Sequence, residues 1–270
     1  MLDVKKKVAF AFSSGGAKGL AHIGVLKAFL DYGFEVVAIA GSSMGAVVGS
    51  FYGFGFSPDE MLYISDKFGG KVSTFLKAAV GSRGGPGTTM ADVVRTYLGN
   101  VKVGDSELPV YIYATDLLAG RCYLFKDEDP LDIALAGSTS IPGVLPPVRY
   151  KDMYLSDGGI SIPLPTPILR QKHKDEDTII VAVNVYSGTS GCKWHLPRAP
   201  IVSEISVAFR AYFLLMDKAT RQYAELADYT ISPPLCRYSA MDFARAKDIA
   251  QIGYDEAEKL IVEKLLVESV

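Results

Sequence analysis

The segment that most constrains this chain is Gly41–Gly45, a Gly-Ser-Ser-Met-Gly sequence between two apolar runs. The run before it, residues 36–40, predicts a strand, and the run after it, residues 46–54, predicts a helix. A Gly-x-Ser-x-Gly sequence between a strand and a helix is typical of a nucleophile elbow, because the crowded turn tolerates only small neighbours such as Gly41 and Gly45. We therefore predict that Ser43 is a nucleophile at a helix N-terminus, where the helix dipole favours negative charge. A small-residue turn that only packs a helix on a sheet is the alternative.

A glycine-rich turn follows the first apolar run, residues 8–12. Its sequence is Ser-Ser-Gly-Gly-Ala-Lys-Gly over residues 13–19, and a stretch of helical spacing follows over residues 20–30. Such a turn exposes backbone N–H groups beside a helix N-terminus and so favours an anion.

Three functional interpretations of this turn compete. A dinucleotide-binding turn needs glycine where Ser14 stands, and a phosphate-binding P-loop needs a Gly-Lys-Ser/Thr triplet, which the turn lacks. An oxyanion hole is the interpretation that also uses Ser43. A purely structural turn is the fourth possibility.

Three histidines are candidates for the base that would activate Ser43. His22 lies inside the first predicted helix and is expected to be a packing or surface residue. His173 falls in a charged run that is typical of a solvated connection. His195 lies in a predicted loop, and the chain order serine, aspartate, histidine suits an α/β-hydrolase triad.

A carboxylate is the simpler candidate base. Asp157 follows the strand-like residues 153–156 and precedes Gly158 and Gly159, which leave space around the acid. A partly desolvated aspartate beside a serine can accept its proton as the serine attacks a carbonyl. An ordinary Asp-Gly turn is the alternative.

Four separated motifs together resemble the patatin-like phospholipases, in particular their small single-domain bacterial type. The resemblance spans most of the first 165 residues, in the family's order, and the chain departs from it at Ser14, which replaces the first of three usual glycines. The motifs are Ser14–Leu26 (oxyanion loop and first helix), Gly41–Gly45 (nucleophile elbow), Gly137–Val148 (a segment beneath the active site) and Asp157-Gly158-Gly159.

The resemblance implies hydrolysis of acyl esters, with phospholipids or other lipid esters as substrates. It implies a Ser43–Asp157 dyad without histidine and an oxyanion hole formed by N–H groups of Gly15, Gly16 and Ala17. Lys18 is expected to be a structural or surface cation. The glycine and serine positions expected to support these motifs are Ser14, Gly19, Gly41, Gly45, Gly158 and Gly159.

The order of predicted elements indicates an α/β fold. Strands alternate with helices, which predicts one three-layer α/β/α domain over residues 1–270, with a mostly parallel central sheet. Further strands are predicted at residues 110–116, 121–125, 178–185 and 229–231, and further helices at residues 58 onward, 88–98, 131–137, 203–223 and 248–267.

Two apolar stretches are candidates for contact with lipid. Residues 71–87 combine spaced lysines with a glycine-rich end and are predicted to form a mobile cover over Ser43. Residues 207–216 are apolar nearly all round, which favours a buried core helix over a pocket wall or a lid.

Composition narrows the partners and the location. The 270 residues carry a net charge of −2 without a basic face, which argues against nucleic acid, and no apolar run reaches about 18 residues. Lys5-Lys6-Lys7 precedes only a short apolar run, so no signal peptide is predicted. The three cysteines, Cys122, Cys192 and Cys236, are widely spaced and are interpreted as free thiols. We therefore expect a cytoplasmic protein, with transient contact to a membrane surface as an option.

Together these observations predict a serine acyl hydrolase, a phospholipase, lysophospholipase or lipid esterase. No metal or organic cofactor is predicted, and the sequence leaves the oligomeric state open. An α/β-hydrolase-type esterase with a Ser-Asp-His triad and a non-catalytic lipid-binding module are the alternatives.

Overall fold

The described residues of the computed structural model are 6–67, 90–173, 177–186 and 204–267. Their apolar runs form the strands β1 Lys7–Phe12, β2 Glu35–Ser42, β3 Val110–Asp116, β4 Arg121–Leu124, β5 Val148–Tyr150, β6 Met153–Ser156, β7 Thr178–Val183 and β8 Tyr229–Ile231. The helices are α1 Ala21–Asp31, α2 Met44–Gly53, α3 at residues 58–67, α4 Met90–Leu98, α5 Leu131–Ser138, α6 Thr166–Lys172, α7 Glu204–Ala224 and α8 Ala246–Leu260.

The eight described strands form one mixed sheet in the order β5-β6-β3-β2-β1-β7-β8, with β4 also paired to β3. The pairs among β3, β2, β1, β7 and β8 are parallel, whereas β4, β5 and β6 pair antiparallel. The parallel strands β1, β2 and β3 therefore end at one edge of the sheet. Ser13, Ser43 and Leu117 follow these three ends.

Helices cover both faces of the sheet. Phe10 and Phe12 of β1 pack in the cluster that contains α1 and α8, whereas the intervening Ala9 and Ala11 pack against Leu169 of α6. Alternate residues of a strand point to opposite faces, so a strand buried on both sides reads as a continuous apolar run. The predicted α/β fold with helices on both sides of the sheet is confirmed.

Several element ends differ from the sequence prediction by a few residues. Helix α2 begins at Met44, directly after the elbow serine, because the Ser43 carbonyl already accepts the N–H groups of Ala46 and Val47. The predicted helix over 248–267 is instead α8 followed by a π-helical turn, Ile261–Leu265. The C-terminal helix is thus real but irregular in its last turn.

The expected burial of the helix at residues 207–216 is wrong. In α7 the side chains of Val207, Leu214 and Leu215 are exposed, whereas Met216 is buried. The apolar residues of α7 whose burial is described therefore divide between the protein interior and the surface.

The expectation of three free thiols is also wrong. Cys236 is disulfide-bonded, whereas Cys122 is free and exposed; Cys192 lies outside the described residues. The cysteines therefore give no support to a reducing location. In the part of the chain that the structure describes, no helix has both the length and the apolar character needed to cross a bilayer.

Candidate active site

The elbow holds Ser43 in a strained backbone conformation between β2 and α2. Its φ of 53° and ψ of −123° lie where side chains are rarely found. The Ser43 N–H donates to Ser138 Oγ at 2.9 Å, which ties the elbow to the end of α5. The strain is of the kind that functional sites retain, because it lifts the serine hydroxyl away from the backbone.

The two glycines of the elbow are required by space. A Cβ at Gly41 would lie 2.4 Å from the backbone N of Ala46, and a Cβ at Gly45 would lie 2.4 Å from the carbonyl oxygen of Phe12. A larger residue at Gly41 would push the start of α2 away from β2, and one at Gly45 would push α2 away from β1. The sequence argument that only small neighbours fit this turn agrees with these distances.

Asp157 lies directly beside Ser43. The Ser43 hydroxyl donates to Asp157 Oδ2 at 2.7 Å, and both side chains are buried. The backbone of Asp157 is fixed from two sides, because its N–H donates to the Ser140 carbonyl and its carbonyl accepts from Thr115 Oγ1. Although these two residues are 114 positions apart, the sheet brings them into contact.

The environment of Asp157 makes it a better base than an ordinary carboxylate. Burial raises its pKa, and hydrogen bonds from Ser43, the Gly159 N–H and Tyr212 oppose that effect, leaving the pKa at about 6. A base works best when its pKa lies near the working pH, provided that it is ionised there. Asp157 is therefore ionised at neutral pH and still has appreciable proton affinity.

The glycines after Asp157 allow this turn to pack closely. A Cβ at Gly158 would lie 2.4 Å from the Tyr113 carbonyl oxygen. One at Gly159 would lie 2.6 Å from Met216 Cε and 2.7 Å from Ser14 Oγ. The Gly159 N–H donates to Asp157 Oδ1 at 2.7 Å, so the turn also orients the carboxylate.

The glycine-rich turn after β1 lies next to the elbow. Ser14 Oγ donates to Ser42 Oγ at 3.1 Å and so connects the two turns. Gly16 has a φ of +53°, and a Cβ there would lie 2.5 Å from the Ala240 carbonyl oxygen. A Cβ at Gly15 would lie 2.4 Å from a Val185 methyl group. Glycine is therefore needed at both positions.

The three expected donors of this turn differ in availability. Among the described residues, the N–H groups of Gly15 and Gly16 have no hydrogen-bond partner, whereas the Ala17 N–H donates to the Ala240 carbonyl at 2.8 Å. Gly19, one turn later, approaches Met44, where a Cβ would lie 2.5 Å from its side chain. The first two glycines thus present the unoccupied N–H groups of the turn.

Neither of the two described histidines forms a hydrogen bond with Ser43 or Asp157. His22 is fully buried and stacked on Phe12, and its Nε2 lies 2.9 Å from the Ser13 carbonyl oxygen, to which it donates. Burial lowers its pKa to about 4, so the ring is neutral. His173 follows α6, and His195 lies outside the described residues. The helix residue was expected to pack or to face solvent, and it packs beneath the glycine-rich turn.

A cavity of about 390 Å³ opens beside Ser43. Its walls come from the elbow helix, α3, α4, α5 and the segment that follows α5. The lining is mostly apolar, and it includes Leu20, Val47, Phe51, Met61, Ile64, Val93, Ile133, Ala136, Ile141, Leu145, Val148 and Phe243. Pockets of this size and character are typical of sites for small apolar ligands. The predicted cover, residues 71–87, lies outside the described residues.

Comparison with known proteins decides the family. The model described as Patatin, patatin-like phospholipase, matches residues 10–170, more than half of the chain. The chain belongs to the patatin-like phospholipase family. The matched range contains the glycine-rich turn, the elbow and Asp157, so the family resemblance seen in the four motifs is confirmed.

Relatives of this patatin-like chain include larger proteins. It is 40% identical over 182 residues to an uncharacterized NTE family protein of Mycobacterium tuberculosis, covering 66% of this chain and 49% of the relative. It is 26% identical over 275 residues to lysophospholipase NTE1 of Pyricularia oryzae, covering 92% of this chain and 18% of that protein. The chain thus spans about half, or less, of the length of these curated relatives.

The fold has a counterpart among solved structures. VipD from Legionella pneumophila superposes with a TM-score of 0.54 at 13% identity, covering 96% of this chain and 67% of that chain. At this identity the likeness concerns the fold alone.

Sequence reasoning missed two side chains around the patatin-like site. Ser138 accepts the elbow N–H, and only its position in the Gly137–Val148 motif hinted at a place near the site. Tyr212 of α7 donates to Asp157 Oδ1 at 3.3 Å. Nothing in its neighbourhood of apolar residues indicated a polar contact.

Proposed function

We propose that this chain hydrolyses the acyl ester bond of a lipid, with Ser43 as nucleophile and Asp157 as base. The observation that carries the proposal is the 2.7 Å hydrogen bond from the Ser43 hydroxyl to Asp157 Oδ2 at the wall of an apolar cavity. The buried carboxylate can activate the serine, the cavity gives room for a substrate beside it, and backbone strain of this kind clusters at functional sites.

In the proposed reaction, Ser43 Oγ attacks the acyl carbonyl while its proton passes to Asp157 Oδ2. The Gly15 and Gly16 N–H groups donate to the oxyanion, each such donor contributing about 3 kcal/mol. The Ala17 N–H joins them only if it leaves the Ala240 carbonyl. Asp157 then returns the proton to the leaving alcohol and afterwards takes one from the water that cleaves the acyl-enzyme.

The substrate class follows from the cavity and the family. The apolar lining next to Ser43 suits an acyl chain, and a carbonyl attacked by Ser43 would lie beside buried hydroxyl groups and the N–H groups of Gly15 and Gly16. A phospholipid or lysophospholipid fits this division, and the Pyricularia oryzae relative is named a lysophospholipase, which agrees with it. We also propose that the site's edge makes transient contact with a membrane surface.

The test compares Ser43→Ala, Asp157→Asn and His195→Ala on p-nitrophenyl esters and on a lysophospholipid. We expect the first two variants to lose activity by at least about 100-fold and the third to keep most of it. Labelling by a fluorophosphonate probe, mapped to Ser43 by mass spectrometry, gives an independent readout. Loss of activity in the folded His195 variant would favour a triad, and a folded wild-type protein without labelling would favour a lipid-binding module.

A further inference from the structure

The two oxygens of the Asp157 carboxylate have separate partners. Oδ2 accepts the Ser43 hydroxyl, whereas Oδ1 accepts the Gly159 N–H at 2.7 Å and the Tyr212 hydroxyl at 3.3 Å. Hydrogen bonds to Oδ1 restrict rotation of the carboxylate and so keep Oδ2 oriented toward the Ser43 hydroxyl. Tyr212 lies beyond residue 170, the end of the family match, so its contact comes from the other part of the chain.

The position of Tyr212 is fixed by how α7 rests on the site. Met216 follows Tyr212 by four residues, so both side chains lie on one face of the helix. Met216 is buried and packs closely against Gly159, since a Cβ built on Gly159 would lie only 2.6 Å from Met216 Cε. The Tyr212 ring packs at 5.3 Å from that of Phe213, which also lies 6.0 Å from Tyr186.

Among the described residues, no positively charged side chain faces the Asp157 carboxylate. The groups that face it are the Ser43 hydroxyl, the Gly159 N–H, the Tyr212 hydroxyl and the nearby Tyr186 phenol. Burial and the neighbouring carboxylate raise the pKa of Tyr212 well above its ordinary value, so the phenol stays protonated and can donate. A donor to the ionised form of an acid stabilises that form.

We propose that Tyr212 is a positioning residue of the dyad, whose hydroxyl holds Asp157 Oδ1 so that Oδ2 faces Ser43 in the ionised state. The proposal rests on the proposed function for its catalytic consequence, whereas the hydrogen bond itself is independent of it. Removal of the hydroxyl leaves the Gly159 N–H as the remaining described donor to Oδ1. The carboxylate then becomes harder to ionise and less firmly oriented.

The test is Tyr212→Phe, with Tyr223→Phe on the same helix as the matched control. Carbon NMR of labelled aspartate carboxyls, with Asp157→Asn to assign the signal, measures the pKa of Asp157 directly. We expect that pKa to rise by about 0.5–1 unit in Tyr212→Phe, because the lost bond is long, and to stay unchanged in the control. The acidic limb of the kcat/KM profile for a p-nitrophenyl ester should move upward by the same amount.

The two readouts separate the failure of this proposal from that of the proposed function. An unchanged Asp157 pKa in folded Tyr212→Phe would overturn the role of Tyr212, whatever the activity. A wild-type protein that cleaves no ester would overturn the proposed function, and the NMR titration would still decide whether Tyr212 acts on the carboxylate. A shifted acidic limb with a normal Asp157 signal would also contradict the proposal.

Discussion

At the scale of single residues, two buried aspartates show how surroundings set the behaviour of a carboxylate. Burial raises the pKa of Asp157 to about 6. Burial also acts on Asp129, but hydrogen bonds from the Lys126 N–H, Lys151, Tyr150 and Tyr123 outweigh it and leave a pKa of about 2. The first carboxylate thus resists ionisation in the folded chain, and the second favours it.

This contrast predicts opposite effects on stability. Asp157 binds its proton more tightly in the folded than in the unfolded chain, so its ionisation destabilises the fold as pH rises from about 4 to 6. We expect Asp157→Asn to raise the free energy of unfolding at pH 8 by about 2 kcal/mol, roughly 5 °C in Tm, and to have little effect at pH 4.

The matched control is Asp129→Asn, measured by the same thermal denaturation. Asp129 has a lowered pKa, so its ionised form contributes stability above about pH 4 that disappears as pH falls toward 2. This variant should therefore lose stability at pH 8. A loss of stability at pH 8 in Asp157→Asn as well would contradict the pKa argument.

At the scale of elements, helix α5 both fixes the elbow and lines the cavity. Its last residue, Ser138, accepts the elbow N–H, and Ile133 and Ala136 face the cavity beside Ser43. Residues three apart lie on one face of a helix, so a single turn of α5 forms part of the cavity wall. The small side chain at Ala136 leaves part of the cavity open.

Substitutions at Ala136 should therefore alter the preferred chain length. Because a larger side chain takes up cavity volume, we expect Ala136→Phe to lower kcat/KM for p-nitrophenyl octanoate about tenfold or more relative to p-nitrophenyl acetate. Ala136→Val should give an intermediate ratio. The acetate ester serves as the internal control, and a ratio unchanged across the series would show that acyl chains do not enter this cavity.

The elements also show which parts of the site the sequence could predict. The elbow and the Asp157 turn follow from short-range rules, because the strand before each turn and its pair of glycines lie within a few residues of Ser43 or Asp157. The Tyr212 contact joins residues 55 positions apart through the docking of α7, and periodicity alone gave that helix the wrong burial. The Ala240 carbonyl, which accepts the Ala17 N–H, is still more remote in sequence from its partner.

At the scale of the whole molecule, the carboxyl ends of β1, β2 and β3 gather the site at one edge of the sheet. The turn between β3 and β4 lies at this edge and exposes Leu117 and Leu118, with Arg121 next to them. Exposed apolar side chains beside the proposed lipid site suit contact with a bilayer surface. The alternation of predicted strands and helices sufficed for this architecture, whereas the single-domain and cytoplasmic expectations stay predictions.

We expect replacement of Leu117 and Leu118 by serine to weaken binding to phosphatidylcholine vesicles about tenfold. Each substitution removes apolar surface that would otherwise pass from water into the bilayer on binding. Cosedimentation measures the binding, and hydrolysis of p-nitrophenyl acetate should be unchanged. Val262→Ser is the control. Val262 is also exposed, but it lies near Leu265, whose carbonyl accepts a hydrogen bond from Lys6 Nζ. Lys6 directly precedes β1, so Val262 lies toward the opposite end of that strand from the site. Equal losses in both variants would argue against a specific membrane-facing edge.

The extent of the family match and the extent of the working site differ. Residues 10–170 supply the proposed nucleophile and the proposed base, yet Tyr212 and Ala240, which contact Asp157 and the glycine-rich turn, come later in the chain. A graft of the matched range alone onto another scaffold would carry Ser43 and Asp157 but would lack the contacts from Tyr212 and Ala240. A graft that is meant to keep the geometry of the site should therefore include α7 and the segment around Ala240.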